Sequence, residues 1–327
     1  MADAGVVRPL LDRFTADVSG VVPLVALWAH GSLALGDFQP GRSDLDLVAL
    51  TRTTLTREQE QDLERMHETL HSQERLADKL HCVYVDRAEL DDAGHRHPTW
   101  AHGELFERTV SPVTRRELCQ GGLCLLGPAP ATMVPPVSDQ ELADYIRGDL
   151  RDFWYPSTAR ADLWLRDIWV DLGLLTFARA TVTLREGRLI TKREALEVLT
   201  SLDAPSDIVR DIYQRRYESA APMSETWRVM RGYRARTYLR EGIGQALALA
   251  RGAPCIRHMA QVGEPGQAGG HGLAQHEIVN LELDRKRSRA FHEDLEGHGE
   301  PGARAGSETV TLQVPSRWEE AARSPLL

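Results

Sequence analysis

Residues 28–50 read WAHGSLALGDFQPGRSDLDLVAL and place a Gly-Ser pair ahead of an Asp-Leu-Asp triplet. The runs VALWA and DLDLVAL on the two sides are short and apolar, which is typical of buried strands. Between them, QPGRS contains Pro-Gly and predicts a loop. Side chains alternate between the two faces of a strand, so Asp44 and Asp46 project on one side and Leu45 and Leu47 on the other.

Two neighbouring carboxylates repel each other, so their placement on one face predicts a cation between them. Mg²⁺ prefers a couple of carboxylates together with water and substrate phosphates. Gly31 lets the backbone approach a ligand closely, and Ser32 adds a hydroxyl beside the free amides of a helix N-terminus. The stretch therefore predicts a magnesium site at Asp44 and Asp46 and a phosphate-binding corner at Gly31 and Ser32. Together they would bind a nucleoside triphosphate with its metal ion.

The segments around this stretch predict a small α/β unit. Apolar residues recur at helical spacing over 7–18, and residues 56–77 form a second amphipathic pattern. LHCVYV (80–85) is rich in β-forming residues and predicts a third strand. From about 138 onward helical patterns dominate, and the Pro-rich segment 127–138 predicts a linker before them.

We therefore predict an α+β fold in which a small mixed-sheet domain is followed by a helical domain. The first domain is expected over residues 1–130 and the second over 138–250. Residues 255–327 are Gly-rich and lack apolar periodicity, so a disordered tail is expected there. The histidines in that tail are irregularly spaced, which favours a solvated segment over a metal site.

Composition narrows the class of protein. The 327 residues are 42% hydrophobic and 27% charged, which is typical of a globular chain. No apolar run approaches the ~20 residues of a membrane span, and the N-terminus shows no secretory signal. The four cysteines lack CxxC spacing, as expected of reduced thiols in a cytoplasmic protein. The net charge of −9 disfavours nucleic acid as a partner and favours a cationic ligand.

The stretch HGSLALGDFQPGRSDLDLV (30–48) resembles the signature of the DNA polymerase β-like nucleotidyltransferase superfamily. Its longer form, with Gly-Asp, a Pro and Ser-Asp-hydrophobic-Asp, is similar to the aminoglycoside nucleotidyltransferases, particularly the streptomycin/spectinomycin adenylyltransferases. The resemblance covers about residues 10–250 and is specific in the first fifty. It implies transfer of AMP from ATP, with Mg²⁺, to a hydroxyl of a small cationic antibiotic, with release of pyrophosphate. We expect a monomer with a role in antibiotic resistance and without a membrane or nucleic-acid partner.

Two further segments resemble the same family. RRELCQGGLCLLGPAP (115–130) resembles the segment that precedes its helical domain. LLTFARATVTLREGRLITKREAL (174–196) resembles the helix, loop and Lys-bearing turn that reach back over the nucleotide. By this match Arg179 and Lys192 contact the triphosphate. A tetra-anionic ligand does require cations, although surface solvation is the alternative for most of the basic residues in this segment.

The resemblance leaves the general base open. The family places a third carboxylate on a neighbouring strand, and aligning LHCVYV with that strand puts His81 at its position. A neutral imidazole can accept a proton near pH 7, so His81 is a candidate base. A structural histidine and an altered or lost activity are the alternatives. Asp78 and Asp86 flank the strand, and either would supply a carboxylate in a shifted register.

The acceptor pocket is predicted from three residues. Trp100 lies in the segment where the family has an aromatic that stacks on the antibiotic, and core packing is the alternative. Asp167 and Asp171 share a helix face, where carboxylates would pair with amino or guanidino groups; solvated helix charges are the alternative. Two other functions stay open: a toxin–antitoxin type of transfer to a protein or another metabolite, and nucleotide binding without catalysis.

Overall fold

The computed structural model describes residues 4–219 and 222–249. Strands alternate with helices up to Leu126, and every longer element after that residue is a helix. The strands are β1 (Leu24–Ala29), β2 (Leu45–Thr51), β3 (Leu80–Asp86), β4 (Arg96–Ala101), β5 (Glu104–Thr109) and β6 (Leu123–Leu126). The helices are α1 (Ala4–Val21), α2 (Gly31–Ala34), α3 (Arg57–Gln73), α4 (Pro112–Gly121), α5 (Asp139–Asp149), α6 (Tyr155–Ser157), α7 (Asp167–Glu186), α8 (Lys192–Ser201), α9 (Ser206–Tyr217) and α10 (Glu225–Leu249).

The six strands form one mixed sheet in the order β5-β4-β3-β2-β1-β6. All neighbouring strands are antiparallel except β2 and β3, which are parallel and are connected by the crossover helix α3. In this register Asp46 of β2 lies directly beside His81 of β3. The fold is therefore α+β, as predicted, and the parallel pair brings the two predicted residues together.

The alternation predicted for β2 is present. Leu45, Leu47 and Ala49 are buried in the apolar cluster that includes residues of α1 and α3. Val48 and Leu50 are buried in a second cluster on the opposite face of the sheet. Asp46 shares the face of Val48 and Leu50, because side chains two positions apart in a strand point the same way.

The helices that follow the sheet enclose a third apolar cluster. It includes Trp154, Trp164, Leu174 and Ile212, and α7 crosses its middle with most of its side chains buried. Residues up to Ala248 that the structure describes belong to one compact unit. The boundary placed between residues 130 and 138 stays a prediction, and the tail expected over 255–327 lies outside the described residues. No helix among the described residues combines the length and the apolar character needed to cross a membrane.

Several features differ from the sequence-based expectation. β6 and α9 were not predicted, and the strand expected over 44–50 begins at Leu45, so that Asp44 immediately precedes it. The helix expected over 56–77 ends at Gln73 and is followed by a short 3-10 helix, Arg75–Lys79. The hairpin of β4 and β5 was not predicted at all. Its turn places both His102 and Gly103 at positive φ (56° and 82°), as a two-residue type I′ turn requires, but His-Gly is a weaker turn signal than Asn-Gly.

Candidate active site

The Gly-Ser corner lies directly against Asp46. Gly31 follows the end of β1 at a φ of +60°, and a Cβ at this position would lie 2.7 Å from Asp46 Oδ2. The His30 amide donates a hydrogen bond to the Asp46 carbonyl (2.9 Å), which fixes the corner to β2. The hydroxyl of Ser32 makes no hydrogen bond to any described residue. Only glycine therefore allows the corner to approach the carboxylate this closely.

The two carboxylates of the Asp-Leu-Asp triplet stay partly exposed, at 40% for Asp44 and 36% for Asp46. Lys79 Nζ lies 3.4 Å from Asp44 Oδ1, and His81 Nδ1 lies 3.8 Å from Asp46 Oδ1. Neither contact encloses its carboxylate, so both keep oxygens open to a ligand. Two open carboxylates on one strand face are a donor set that fits Mg²⁺.

Lys192 begins α8 and faces this pair from the helical part of the chain. Burial, together with the charges of Arg216 and Arg179, lowers the pKa of its ammonium to about 8. The charges of Asp46 and Asp44 act in the opposite direction. Within residues 4–219 and 222–249, Lys192 forms no ion pair. A cation held near the carboxylates without a close partner is suited to an anionic ligand.

A buried chain of three charged groups lies behind the corner. Glu117 of α4 accepts a hydrogen bond from Arg179 Nη2 (3.1 Å), and its other oxygen lies 2.9 Å from His30 Nδ1. Burial alone would lower the pKa of His30, but the hydrogen bond and charge of Glu117 outweigh it and raise the pKa. Burial would raise the pKa of Glu117, yet His30 and Arg179 lower it. Arg179 is therefore held beside the corner, and its contact with a triphosphate stays a prediction.

His81 is the only one of the three candidates for the general base that the structure brings to Asp46. Its ring also packs edge-on against that of His102, with centroids 4.6 Å apart. Asp78 instead lies on the exposed 3-10 helix, 3.0 Å from His71 Nδ1. Asp86 lies at the opposite end of β3, where it accepts hydrogen bonds from Thr54 and the Ala88 amide.

The three residues predicted to bind the acceptor all contact other residues of the chain. Trp100 is 4% exposed, belongs to the apolar cluster on the face opposite Asp46, and stacks on His67 with centroids 4.6 Å apart. Asp167 Oδ1 accepts a hydrogen bond from the buried Arg231 (2.6 Å). Asp171 forms a two-pronged ion pair with Arg215. Each of these residues thus has a partner within the chain, and its contact with an acceptor stays a prediction.

Sequence reasoning missed Glu117 and also Asp37, which joins this corner to α8 and α9. Each is a single acid outside the Asp-Leu-Asp triplet. Both lie in segments that resemble the family, Asp37 in the Gly-Asp of the signature and Glu117 in RRELCQGGLCLLGPAP, but a lone acid carries no periodic signal that would predict its partners.

No protein-family model matches the sequence, and no curated protein sequence matches it. Among solved structures, the fold is similar to that of the spectinomycin adenyltransferase AAD(9) from Enterococcus faecialis, whose crystal structure was determined with ATP and spectinomycin. The TM-score is 0.53 at 13% sequence identity, over 70% of this chain and 98% of that chain. The likeness shows a shared fold, in which a mixed sheet is followed by helices.

Proposed function

We propose that the protein is a nucleotidyltransferase that moves AMP from ATP to a hydroxyl of a small cationic acceptor and releases pyrophosphate. The observation that carries the proposal is the open pair Asp44 and Asp46, set against the Gly31 corner and faced by Lys192. The fold shared with an adenyltransferase supports it. An aminoglycoside such as streptomycin or spectinomycin is the proposed acceptor, in a cytoplasmic monomer.

In this proposal the triphosphate is bound by the corner and by the helical part of the chain. Asp44 and Asp46 hold Mg²⁺, which neutralises phosphate charge when it is bound. Ser32 donates its free hydroxyl to a phosphate oxygen. Lys192 and Arg179 place positive charge on the other side of the phosphates, where the leaving pyrophosphate gains charge.

His81 is the proposed general base. Its Nδ1 faces Asp46, so Nε2 is the nitrogen left to accept the proton of the acceptor hydroxyl. The positioning of ATP and acceptor then supplies much of the rate, as in phosphoryl transfer generally.

The test is pyrophosphate release by the purified protein with ATP and Mg²⁺, with and without streptomycin or spectinomycin. We expect release that depends on the acceptor, and a mass increase of the acceptor equal to one AMP. Asp46→Asn is the inactive control, and Asp78→Asn is the matched control at an acid that pairs with His71 away from the site. Equal release with and without every acceptor tested would contradict the transfer.

A second candidate is a nucleotide-binding protein that no longer transfers AMP. The observation in its favour is that His81, not a carboxylate, lies beside Asp46. This candidate predicts that ATP raises the Tm while no acceptor leads to pyrophosphate release, and that His81→Glu creates activity.

The acceptor could instead be a protein or another metabolite. In that case the wild-type protein should release pyrophosphate when a wider panel of acceptors is tested.

A further inference from the structure

Asp37 is a buried acid in the loop between α2 and β2, with an exposure of 5%. Its amide donates a hydrogen bond to the Ser32 carbonyl (2.9 Å), so its backbone belongs to the corner. Its carboxylate reaches the helical part of the chain. Oδ2 accepts a hydrogen bond from the Arg193 amide (3.1 Å), and Tyr217 Oη donates to the same carboxylate at 2.9 and 3.1 Å.

The contact with the Arg193 amide fixes the first turn of α8. Amides in the first turn of a helix have no acceptor within the helix, and a negative charge there is favourable. The Thr191 hydroxyl already accepts a hydrogen bond from the Glu194 amide in a capping box. Asp37 supplies a second acceptor, this time from a distant part of the sequence.

The contact with Tyr217 fixes the end of α9 to the same carboxylate. Burial and the charge of Asp37 raise the pKa of the Tyr217 hydroxyl to about 12, so it remains a donor at neutral pH. The Arg193 guanidinium lies over the Tyr217 ring, 3.9 Å from its centroid, with Nε 3.6 Å from Asp37 Oδ1. Hydrogen bonds to a buried charged acceptor are among the stronger ones in proteins.

A second link lies in the same loop. Arg42 donates a hydrogen bond to the Glu218 carbonyl, one residue beyond the end of α9. Asp37 and Arg42 therefore attach both halves of the loop that leads to Asp44 onto the helical part of the chain. Lys192, which faces Asp44 and Asp46, is the residue next to Arg193.

We propose that Asp37 is a positioning residue for the triphosphate. It acts through the Arg193 amide and the Tyr217 hydroxyl, and it sets the distance between the Ser32 corner and Lys192. This inference rests on the proposed function, which it deepens by assigning control of nucleotide binding to a residue that does not itself contact the nucleotide.

The test compares Asp37→Asn, Tyr217→Phe and the double variant with the wild-type protein. Asp37→Asn loses the charge and places an amide donor in the same position, so we expect the KM for ATP to rise about tenfold while kcat and the acceptor KM change little. Tyr217→Phe should act in the same direction with a smaller effect. The double variant should be no worse than Asp37→Asn, because the hydroxyl acts only through the carboxylate.

Asp207→Asn is the matched control, since Asp207 also accepts a hydrogen bond from an amide in the first turn of a helix, that of Ile208 in α9, but pairs with Arg234. It should leave the KM for ATP unchanged. Hydrogen–deuterium exchange of the protein without nucleotide supplies a measurement that does not depend on catalysis. Exchange at the first turn of α8 should become faster in Asp37→Asn and stay unchanged in Asp207→Asn.

The outcomes separate this inference from the proposed function. Faster exchange in Asp37→Asn with a wild-type KM for ATP would show a purely structural role and overturn it, and so would unchanged exchange. A wild-type protein that binds ATP but transfers no AMP refutes the proposed function alone, and ATP affinity by calorimetry then replaces the KM in every comparison. A wild-type protein that does not bind ATP overturns both. If Asp37→Asn does not fold, the affinity and exchange of Tyr217→Phe decide.

Discussion

Two pairs of aspartates share one face of a regular element and have opposite environments. Asp44 and Asp46, the strand pair, lie two positions apart, one immediately before β2 and one within it, and face partners no closer than 3.4 Å. Asp167 and Asp171, the helical pair, lie four positions apart on α7 and are bound by arginines of α9 and α10. Spacing predicts that two acids share a face, but it does not predict what that face meets.

The difference lies in the cations. A guanidinium offers five donors in a rigid fork, and it can occupy both oxygens of a carboxylate, as Arg215 does at Asp171. The strand pair meets a lysine at the edge of hydrogen-bonding distance and a histidine beyond it. The helical pair is therefore ion-paired within the chain, whereas the strand pair keeps oxygens open, and a ligand-binding role for either pair stays a prediction.

Among the variants that test the difference between the two pairs, Asp46→Asn is expected to have the largest effect. It removes one charge of the proposed metal site, and the loss of several kcal/mol of electrostatic stabilisation corresponds to a fall in kcat of about 10³-fold or more. The side chain is partly exposed, so the Tm should change little. Steady-state pyrophosphate release and thermal unfolding measure the two effects. Near wild-type turnover would refute the metal role of the strand pair.

The helical pair should respond in the reverse way. Arg215→Met leaves Asp171 buried without its partner and removes one of the two arginines from Asp211, so we expect a loss of about 3–5 kcal/mol of unfolding free energy. The folded fraction should retain its kcat. Urea unfolding measures the stability, and turnover is measured below the unfolding transition.

Arg234→Met is the control for that experiment, because Arg234 and Asp207 form an exposed ion pair. Its cost should be at most about 1 kcal/mol. Equal costs for the two variants would show that the Asp171–Arg215 contact is not the buried pair described above, and the comparison would lose its basis.

Local sequence predicted the strand pair because its evidence is local. The alternation of β2 and the Gly-Ser corner lie within 23 residues. The resemblance to the family put His81 on the neighbouring strand, and the structure pairs it with Asp46. Trp100 shows what local sequence does not predict, namely the face on which a strand side chain lies. A shift of one residue changes the face of a strand side chain, and the register of β4 is set by pairing with β3 that no local pattern specifies.

The contacts of single buried acids were also not predicted from the sequence. Glu117 meets a residue 87 positions away, and Asp37 meets one 180 positions away. Neither has periodicity or a neighbouring acid, so their functions depend entirely on tertiary contacts. The arginines that bind Asp167 and Asp171 are also distant from them in sequence. The sequence alone therefore could not distinguish a solvated acid from one that binds a ligand or pairs with an arginine.

The pH dependence of ATP use tests the cation that faces the strand pair. Lys192 must be protonated to bind a phosphate, so its contribution to kcat/KM for ATP should be constant below about pH 8 and should decrease above it. Lys192→Arg should remove this fall, because the guanidinium keeps its charge. A fall that persists unchanged in Lys192→Arg would assign it to another group.

Stability should move in the opposite direction over the same range. The pKa of Lys192 is lowered on folding, to about 8 from its ordinary value of 10.5. Between these two values the unfolded chain binds more protons than the folded one, so this group makes the unfolding free energy rise with pH. Comparing urea unfolding of the wild-type protein with Lys192→Met at pH 7.5 and 10 isolates that contribution, and equal pH slopes would contradict it.

The smallest effect is expected for Asp167→Asn. Asp167 is 53% exposed, and its partner Arg231 also binds Asp211 at 3.1 Å, so the substitution leaves the buried guanidinium with a carboxylate. We expect a loss of about 1 kcal/mol or less of unfolding free energy and an acceptor KM within about threefold of wild type, because the carboxylate is already occupied. A tenfold rise in the acceptor KM with an unchanged KM for ATP would show that the acceptor competes with Arg231 for this carboxylate. The helical pair would then bind a ligand as the strand pair does, and the division between a stabilising pair and a ligand-binding pair would no longer hold.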